Sequence, residues 1–448
     1  MKIQLEDKRY QKECIDIFTI FDSKQNLKFG KSDFVVGKDY VIKDKTYTFN
    51  SRIELKKILY KLFSIRYNYT NDWGILTGTK PSKILKNHSD EELRRMYLIN
   101  DDNLKLLRDI DKIQSAMDFD EKNFNIYINI PFCPSRCDYC SFPTIVYKKN
   151  DRREEYLGYL IKEITEVSKS IDKLKIKTIY VGGGTPTSLD NTMLEKLLKV
   201  IENCFVSDDL LEYTFEAGRE DSLDYEKLKL LEKYNVTRIS LNPQTFNEKA
   251  LKEMGRIQNN DNLLDLYTQA KNLGFVVNMD FILGLLYDDV TNTRENLEIL
   301  RGLQPDNITF HTLSIKNGSK YSQKYDKANF EENIAEKQMQ LVKAWTLEND
   351  YKPYYLYRQK NILNNMENIG YCKDYPSRYN IVINEELESI IGFGMTANSK
   401  IIKDDIIKYT NYKNLRDYSE KLDEIIKRKV EIINEWTKKK RRIQIRQK

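Results

Sequence analysis

Apolar runs and amphipathic stretches alternate along the middle of the chain. Short β-rich runs begin near Phe124, Lys177, Glu212, Thr237, Phe275 and Ile308. Helical patterns separate them, at 154–170, 193–204, 225–234, 263–272 and 293–303. Strand–helix alternation at this spacing predicts parallel βα units. Six such units predict an α/β fold, a partial (β/α)6 TIM-like barrel, with its chemistry at the carboxyl ends of the strands.

The pattern changes on both sides of this region. Residues 1–120 mix short β-like runs with helical stretches, which predicts an N-terminal α+β extension. Residues 121–320 form the predicted barrel. After it come a helical pattern, a tyrosine-rich segment and a helical end. Residues 321–448 are therefore expected to form a mixed, largely helical region that covers the substrate.

Composition places the chain among folded globular proteins. The 448 residues are 40% hydrophobic and 32% charged, with 74 basic against 68 acidic side chains. A net charge of +6 is too balanced for a disordered polyelectrolyte, and it permits anionic ligands without indicating nucleic acid. No run approaches the ~18 apolar residues of a membrane span, and the start lacks the apolar core of a signal peptide. We therefore expect a cytoplasmic protein with reduced cysteines.

Histidine and cysteine are used unevenly. The only two histidines are His88 and His311, so a histidine-built metal site or acid–base relay has little material. Three of the six cysteines, Cys133, Cys137 and Cys140, directly follow the first predicted strand. Soft thiolates suit an iron–sulfur cluster, and three ligands leave one iron of a 4Fe–4S cluster open. The alternatives are a zinc site, which would need a fourth ligand, and three buried free thiols.

The spacing Cys-x3-Cys-x2-Cys after a first barrel strand resembles the radical S-adenosylmethionine superfamily. In that superfamily the open iron chelates the cofactor, and one-electron reduction releases a 5′-deoxyadenosyl radical that abstracts hydrogen. The resemblance implies a 4Fe–4S cluster held by Cys133, Cys137 and Cys140, with S-adenosylmethionine as the second cofactor. It also implies an electron donor such as flavodoxin or ferredoxin, and an electron acceptor that the sequence does not identify.

Further motifs follow the later strands in order. They are VGGGTPT at 181–187, FEAG at 215–218, RISLNPQTFN at 238–247 and NMDFILGL at 278–285. In order and spacing this series resembles the oxygen-independent coproporphyrinogen III oxidase family. The segments YYLYRQKN at 354–361 and ENIGY at 367–371 resemble its HemZ-type coproporphyrinogen dehydrogenase branch, which also carries an N-terminal extension.

By this resemblance, nine residues match the positions at which the family contacts its cofactor. They are Tyr127, Tyr139, Gly183, Gly184, Thr185, Glu216, Gln244, Arg256 and Asp280. The glycines lack side chains, so backbone can approach a ligand closely. Carboxylates and amides at strand ends can bind ribose hydroxyl, ammonium and carboxylate groups. Any one of these features alone is more often a turn or a surface ion pair.

The family resemblance implies anaerobic oxidative decarboxylation of coproporphyrinogen III to protoporphyrinogen IX in porphyrin and haem biosynthesis. This tetrapyrrole carries four propionates, two of which lose CO₂ and become vinyl groups. Such a polyanion needs cations near the barrel mouth. The candidates are Arg136, Lys316, Arg358 and Lys360. For the last two, ordinary surface charge is the alternative.

Two departures from the family pattern keep other functions open. Phe142 stands two residues after the third cysteine, where the well-characterised oxidases have a further Cys and relatives that act as haem chaperones have Phe. The usual Gly-Leu-Pro after the fifth strand reads Gly-Leu-Leu at 284–286. The His-Asn…Tyr-Trp signature of the chaperones is missing past the barrel. The alternatives are a haem-binding chaperone and a radical enzyme that methylates or opens porphyrins.

Overall fold

The computed structural model describes most of the chain. The described ranges are 1–22, 24–78, 80–148, 151–171, 174–316, 318–325, 329–331, 333–359, 362–402 and 406–446, with side chains described up to residue 437. Within these ranges, no helix combines the length and the apolar character that crossing a membrane requires.

The N-terminal part of the chain folds around a small sheet of its own. Its strands are β1 (Lys2–Leu5), β2 (Lys28–Phe29), β3 (Val35–Val36), β4 (Tyr40–Ile42) and β5 (Thr46–Thr48), in the order β2-β1-β3-β4-β5. The helices of this part are α1 (Gln11–Phe21), α2 (Arg52–Tyr67), α3 (Asp90–Tyr97) and α4 (Asp101–Ser115). Phe18 of α1 and Phe63 of α2 share a core with the sheet. Leu93 of α3 and Leu107 of α4 instead belong to the larger core around the barrel.

Six parallel strands form the predicted partial barrel, which is thereby confirmed. The strands of this region are β6 (Asn123–Ile130), β7 (Phe132–Cys133), β8 (Ile145–Val146), β9 (Lys175–Gly183), β10 (Glu212–Glu216), β11 (Arg238–Ser240), β12 (Val276–Leu283) and β13 (Asn307–Thr312). Parallel pairing joins them in the order β6-β9-β10-β11-β12-β13, while β7 and β8 form a separate pair in the loop after β6. The helices are α5 (Arg153–Ser168), α6 (Asn191–Phe205), α7 (Tyr225–Lys233), α8 (Glu248–Glu253), α9 (Asn260–Asn272) and α10 (Val290–Leu303).

Side-chain caps set the first residues of the barrel helices. Asp190 accepts a hydrogen bond from Met193 N at the start of α6, and Asn259 accepts one from Asn262 N at the start of α9. Such a cap satisfies one of the backbone N–H groups that a helix start leaves free. These two helices therefore begin at a defined distance after their strands, and residues between strand and helix form loops at the barrel mouth.

The C-terminal part continues the barrel sheet at both edges. Its elements are α11 (Tyr321–Lys324), α12 (Ile334–Glu348), β14 (Lys352–Tyr357), β15 (Asn368–Cys372), α13 (Arg378–Glu385), β16 (Ser389–Phe393), β17 (Asn398–Ile402), β18 (Ile406–Thr410), α14 (Leu415–Glu420) and α15 (Leu422–Arg446). β15 pairs antiparallel with β13, and β14 pairs with β15. At the other edge β16 pairs parallel with β6, followed by β17 and β18. The boundaries at 120 and 320 stay a prediction, since this sheet runs across the second of them.

Candidate functional site

A cavity of about 800 Å³ occupies the barrel interior. Each of the six parallel strands contributes at least two lining residues, and on five strands two of these stand two positions apart, because alternate side chains of a strand share one face. The pairs are Tyr127 and Asn129, Tyr180 and Gly183, Thr214 and Glu216, Arg238 and Ser240, Asn278 and Asp280, and Thr309 and His311. The interior is therefore polar where a packed barrel core would be aliphatic, which is typical of a ligand site.

The cysteine loop forms one wall of this cavity. Cys133, Cys137 and Cys140 all line it, and none of the chain's cysteines is in a disulfide. The loop is held by backbone pairing: Cys140 N donates to Cys137 O at 3.1 Å, and Ile145 N donates to Pro131 O at 2.7 Å. Burial raises the pKa of the Cys133 thiol to about 11. The folded chain by itself therefore keeps the Cys133 thiol protonated at neutral pH.

Two hydrogen-bond donors approach the sulfur atoms. Arg219 Nη1 lies 3.5 Å from Cys137 Sγ, and its guanidinium also pairs with Asp221 at 2.7 Å. Thr185 Oγ1 lies 3.4 Å from Cys133 Sγ. Both donors come from loops that follow the next two strands, β9 and β10. N–H and O–H groups aimed at sulfur stabilise thiolate charge.

The glycine turn after β9 brings its backbone against the cysteine loop. Gly184 N donates to Ile130 O, and Thr185 N donates to Phe132 O, each at 2.8 Å. Gly183 has φ +118°, and a Cβ there would stand 2.1 Å from Asn129 Oδ1. A side chain at this position would therefore clash, so only glycine fits.

Glu216, at the end of β10, faces this turn. Tyr180 OH donates to its Oε1 at 2.6 Å, and Gly183 N donates to its Oε2 at 3.1 Å. Burial, with a smaller contribution from the charge of Asp280, raises the pKa of the Glu216 carboxyl to about 7. A carboxylate in this state is ready to accept a positive group, because a cation would favour its ionised form.

The predicted polar residues after β11 also reach the cavity. Gln244 has a left-handed backbone, φ +66°, and is held between Asp280 O and Ile282 N by hydrogen bonds of 2.9 Å. Arg256 donates to Gly218 O at 2.9 Å and to Asn242 O. Among the described residues, no carboxylate lies within ion-pair distance of Arg256. Its guanidinium thus keeps its charge available to a ligand carboxylate.

Asp280 of β12 faces His311 of β13. Asn278 Nδ2 donates to Asp280 Oδ1 at 2.7 Å, and His311 Nε2 lies 3.8 Å from Asp280 Oδ2. His311 Nδ1 contacts the hydroxyl of Tyr357 at 3.0 Å. Burial opposes the charge of Asp280, but the facing imidazole and Asn278 hold its pKa below the ordinary value. The cavity therefore contains an ionised carboxylate with one histidine partner.

The four predicted substrate cations have separate positions. Arg136 and Lys316 line the cavity beside the cysteines. Arg358 does not: its guanidinium is buried and donates to the carbonyls of three residues, and burial lowers its pKa to about 10. These carbonyls belong to Leu76, Asn365 and Met366. The structure therefore does not support a substrate role for Arg358, and Lys360 lies outside the described residues.

Comparison with known proteins agrees with this arrangement. The radical SAM superfamily model matches residues 127–300. Over 392 residues the chain is 38% identical to the oxygen-independent coproporphyrinogen-III oxidase-like protein HemZ of Bacillus subtilis, which covers 82% of this chain and 78% of that protein. The chain belongs to the radical SAM coproporphyrinogen oxidase family.

Other members of the wider group are more distant. The chain is 31% identical to the heme chaperone HemW of Bacillus subtilis over 192 residues, covering 42% of this chain and 50% of that protein. The solved structure of coproporphyrinogen III oxidase (HemN) from Escherichia coli superimposes with a TM-score of 0.58 at 21% identity, over 70% of this chain and 72% of that one. The second likeness shows the shared barrel fold.

The cofactors of the radical SAM coproporphyrinogen oxidase family are a 4Fe–4S cluster and S-adenosylmethionine, and the residues present fit both. Among the described side chains, no three His, Cys, Asp or Glu converge closely enough to bind a single metal ion. The fit with a cluster rests on the donor set, three reduced thiols on one cavity wall with N–H and O–H donors at their sulfurs. The fit with the second cofactor rests on the tight glycine turn, the buried Glu216 and the available Arg256.

The structure adds lining residues that motif reading did not single out. They include His311, Arg219, Lys413 and, on α13, Asn380, Ile383 and Asn384. Two of them carried a local signal: Arg219 directly follows the FEAG motif, and His311 stands two residues after Thr309 on a strand with polar residues at alternate positions. Lys413 and the α13 residues had no such signal in the sequence. They reach the cavity only because the C-terminal part of the chain folds back against the barrel.

Proposed function

We propose that this chain catalyses the oxygen-independent oxidative decarboxylation of coproporphyrinogen III to protoporphyrinogen IX. The observation that carries the proposal is a set of three cations on the cavity that contains the cysteines, namely Arg136, Lys316 and Lys413. None of the ion pairs formed by the described residues involves any of the three. Cations without carboxylate partners suit a ligand that brings its own carboxylates.

The hydrogen-bonding state of Arg136 supports this interpretation. Its Nη2 donates to Cys140 O at 3.3 Å and to Gly318 O at 3.0 Å, so neutral carbonyls hold it in place at the cluster loop. A propionate bound there lies beside the cysteines, where the reaction must begin. Lys316 and Lys413 come from other loops, after β13 and after β18, so the three charges can hold more than one propionate.

When bound, the cluster and S-adenosylmethionine supply the one-electron chemistry that removes a hydrogen atom from carbon. The cations of this chain hold each propionate in turn. Loss of a hydrogen atom from its β-carbon, of one electron to an external acceptor, and of CO₂ leaves a vinyl group. Since no proton has to be removed by a side chain, the chemistry needs no general base.

Haem binding without turnover is the second candidate function. The observation that favours it is Phe142, which lines the cavity, is 63% exposed and lies 5.9 Å from the ammonium of Lys316. An exposed aromatic ring beside a cation suits a flat macrocycle with carboxylates. Haem is such a flat macrocycle, whereas the proposed substrate has saturated methylene bridges and shares only the carboxylates.

The test is product analysis under strict anaerobiosis. The protein, reconstituted with iron and sulfide, is incubated with S-adenosylmethionine, a low-potential reductant, an electron acceptor and coproporphyrinogen III. We expect mass spectrometry to show the loss of first one and then two CO₂, with methionine and 5′-deoxyadenosine formed. The Cys137→Ala variant is the inactive control, and Cys204→Ala, which changes a cysteine away from the cavity, is expected to behave like the wild type.

Haem titration separates the two candidates. Stoichiometric haem binding by the same reconstituted protein, together with unchanged coproporphyrinogen, would overturn the proposal in favour of the chaperone. Cleavage of S-adenosylmethionine with a methylated or ring-opened tetrapyrrole would overturn it in favour of another radical enzyme.

A further inference from the structure

One of the chain's two histidines lies inside the cavity. His311 stands on β13, its side chain is 27% exposed, and its Nε2 faces Asp280 Oδ2 across 3.8 Å. Among the described residues, no lysine or arginine lies within ion-pair distance of Asp280. His311 is therefore the one described side chain at that carboxylate that can carry a positive charge.

The imidazole is itself fixed in place. Its Nδ1 lies 3.0 Å from the hydroxyl of Tyr357 on β14, and the two rings meet edge to face at 6.2 Å. A neutral imidazole that accepts the Tyr357 proton at Nδ1 carries its own proton on Nε2, the nitrogen that faces Asp280. Tyr357 thus orients His311, and His311 presents an N–H to the carboxylate.

The surroundings of Asp280 otherwise oppose its charge. The ionisable groups that face it from other strands are Glu216 on β10, Tyr180 on β9, and Tyr355 and Tyr357 on β14, and the charge of Asp280 contributes to raising the pKa of each. Burial acts in the same direction on Asp280 itself, while His311 is the largest influence that lowers its pKa. The histidine therefore offsets an environment that favours a neutral acid.

We propose that His311 is a positioning residue that orients the Asp280 carboxylate toward S-adenosylmethionine and keeps it negatively charged as a hydrogen-bond acceptor. The inference rests on the proposed cofactor contact of Asp280, which the family resemblance implies. An ionised carboxylate accepts two hydroxyl groups, whereas a protonated one has to donate. His311 would in this way set the lower pH limit of cofactor binding.

The test measures S-adenosylmethionine affinity by anaerobic equilibrium dialysis of the reconstituted protein between pH 5.5 and 9. For His311→Phe we expect about tenfold weaker binding at pH 5.5 and binding close to that of the wild type at pH 9, because without the facing imidazole N–H the carboxylate takes up its proton at a higher pH. His311→Gln keeps an N–H at the position of Nε2 and is expected to bind within about threefold of the wild type. A purely structural role would give weaker binding at every pH.

The chain provides matched controls. His88→Phe changes the other histidine, which lies outside the cavity lining and contacts Ile84 O, and its profile should coincide with the wild type. Tyr357→Phe removes only the hydroxyl that orients the ring, so its midpoint should move in the same direction by a smaller amount. If His311→Phe fails to fold by circular dichroism, the Tyr357→Phe and His311→Gln profiles decide the question.

Each outcome separates this inference from the proposed function. An unchanged pH profile in His311→Phe and Tyr357→Phe, with binding lost in Asp280→Asn, would overturn the role of His311 and leave that of Asp280. Wild-type affinity in Asp280→Asn would overturn both. A shifted profile in a protein that does not decarboxylate coproporphyrinogen would refute the proposed function and support the role of His311.

Discussion

Glu216 is a carboxyl group whose protonation opposes the function proposed for it. Burial raises its pKa to about 7 from 4.5, so the folded chain binds this proton more tightly than the unfolded chain. The group therefore contributes stability that is complete below about pH 4.5 and is lost as the pH rises through about 7. At neutral pH an ionised Glu216 without a ligand destabilises the fold. A cationic ligand group next to the carboxylate would offset this destabilisation.

Glu216→Gln should show this linkage directly. Without the cofactor, we expect the free energy of unfolding of the variant to exceed that of the wild type at pH 8 by more than at pH 5, because glutamine does not ionise. Urea denaturation at the two pH values measures the difference. Asp288, whose pKa burial also raises to about 7, is present in both proteins and cancels in the comparison. If the variant and the wild type differed in free energy of unfolding by the same amount at both pH values, the raised pKa of the buried Glu216 carboxyl would be contradicted.

Gly183 is the position where backbone conformation and space both require glycine. Gly183→Ala places a Cβ against Asn129 in a left-handed backbone, so we expect unfolding free energy to fall by about 1–3 kcal/mol and cofactor affinity to be lost. Gly158→Ala is the control: this glycine lies in α5 with no atom near its Cβ position, and alanine should stabilise the helix by up to about 1 kcal/mol. Equal effects of the two changes on urea denaturation would disprove the tight turn.

At the scale of elements, a buried ion pair connects the last helix, α15, to the barrel helix α5. Glu163 of α5 and Lys429 of α15 are 0% and 2% exposed, and their charged groups are in contact. Glu163 also accepts hydrogen bonds from Tyr418 OH at 2.6 Å and Gly394 N at 2.8 Å. The pair thereby fixes the loop after β16, whose Thr396 lines the cavity.

Lys429→Met should be strongly destabilising, by about 3–5 kcal/mol, because it leaves the Glu163 charge buried without its partner. The control is Lys162→Met on the same helix pair, since the exposed ion pair of Lys162 with Asp423 contributes about 1 kcal/mol or less. Adding Glu163→Gln to Lys429→Met should recover part of the loss. Urea denaturation measures all three, and a similar small cost for both lysines would contradict the buried pair.

At the scale of the whole molecule, the N-terminal part is joined to the C-terminal part through a buried polar junction. Trp73 Nε1 donates to Glu367 Oε2 at 2.7 Å, and Lys343 pairs with the other oxygen of Glu367 at 2.7 Å. The guanidinium of Arg358 lies 5.4 Å from the Trp73 ring and binds Leu76 O. This junction therefore forms only when residues 73–76 and residues 343–367 are both in their folded positions.

Arg358→Lys distinguishes a structural cation from a substrate cation. Lysine keeps the charge but cannot reach three carbonyls, so we expect a loss of about 1–3 kcal/mol for each group left unsatisfied, with unchanged coproporphyrinogen affinity of the folded protein. Lys316→Gln should do the reverse, weakening substrate binding at little cost in thermal stability. Weaker substrate binding in Arg358→Lys would return this residue to the site.

Features of the structure that depend on residues close together in the chain could be predicted from the sequence, whereas features that depend on distant residues could not. Strand starts, the cysteine loop and the glycine turn depend on neighbours a few residues apart, so the pattern indicated them. The environment of Arg358 depends on Leu76, 282 residues away, and its charge alone suggested a surface or substrate role. Scarcity of histidine argued against a histidine in the chemistry, yet the fold of β13 places His311 beside Asp280. The number of histidines in a sequence does not indicate where in the fold each histidine lies.

The pairing of β6 with β16 has a consequence for synthesis of the protein. Phe124 pairs with Ser389, and Asn123 and Asn125 bind the carboxylate of Glu388, so the first strand of the barrel obtains one of its neighbours 265 residues later. At ~5–20 residues per second, the nascent chain carries an unpaired strand edge for roughly 10–50 s. A chain whose synthesis stops before residue 389 therefore has a β6 edge that is open to pairing with other chains.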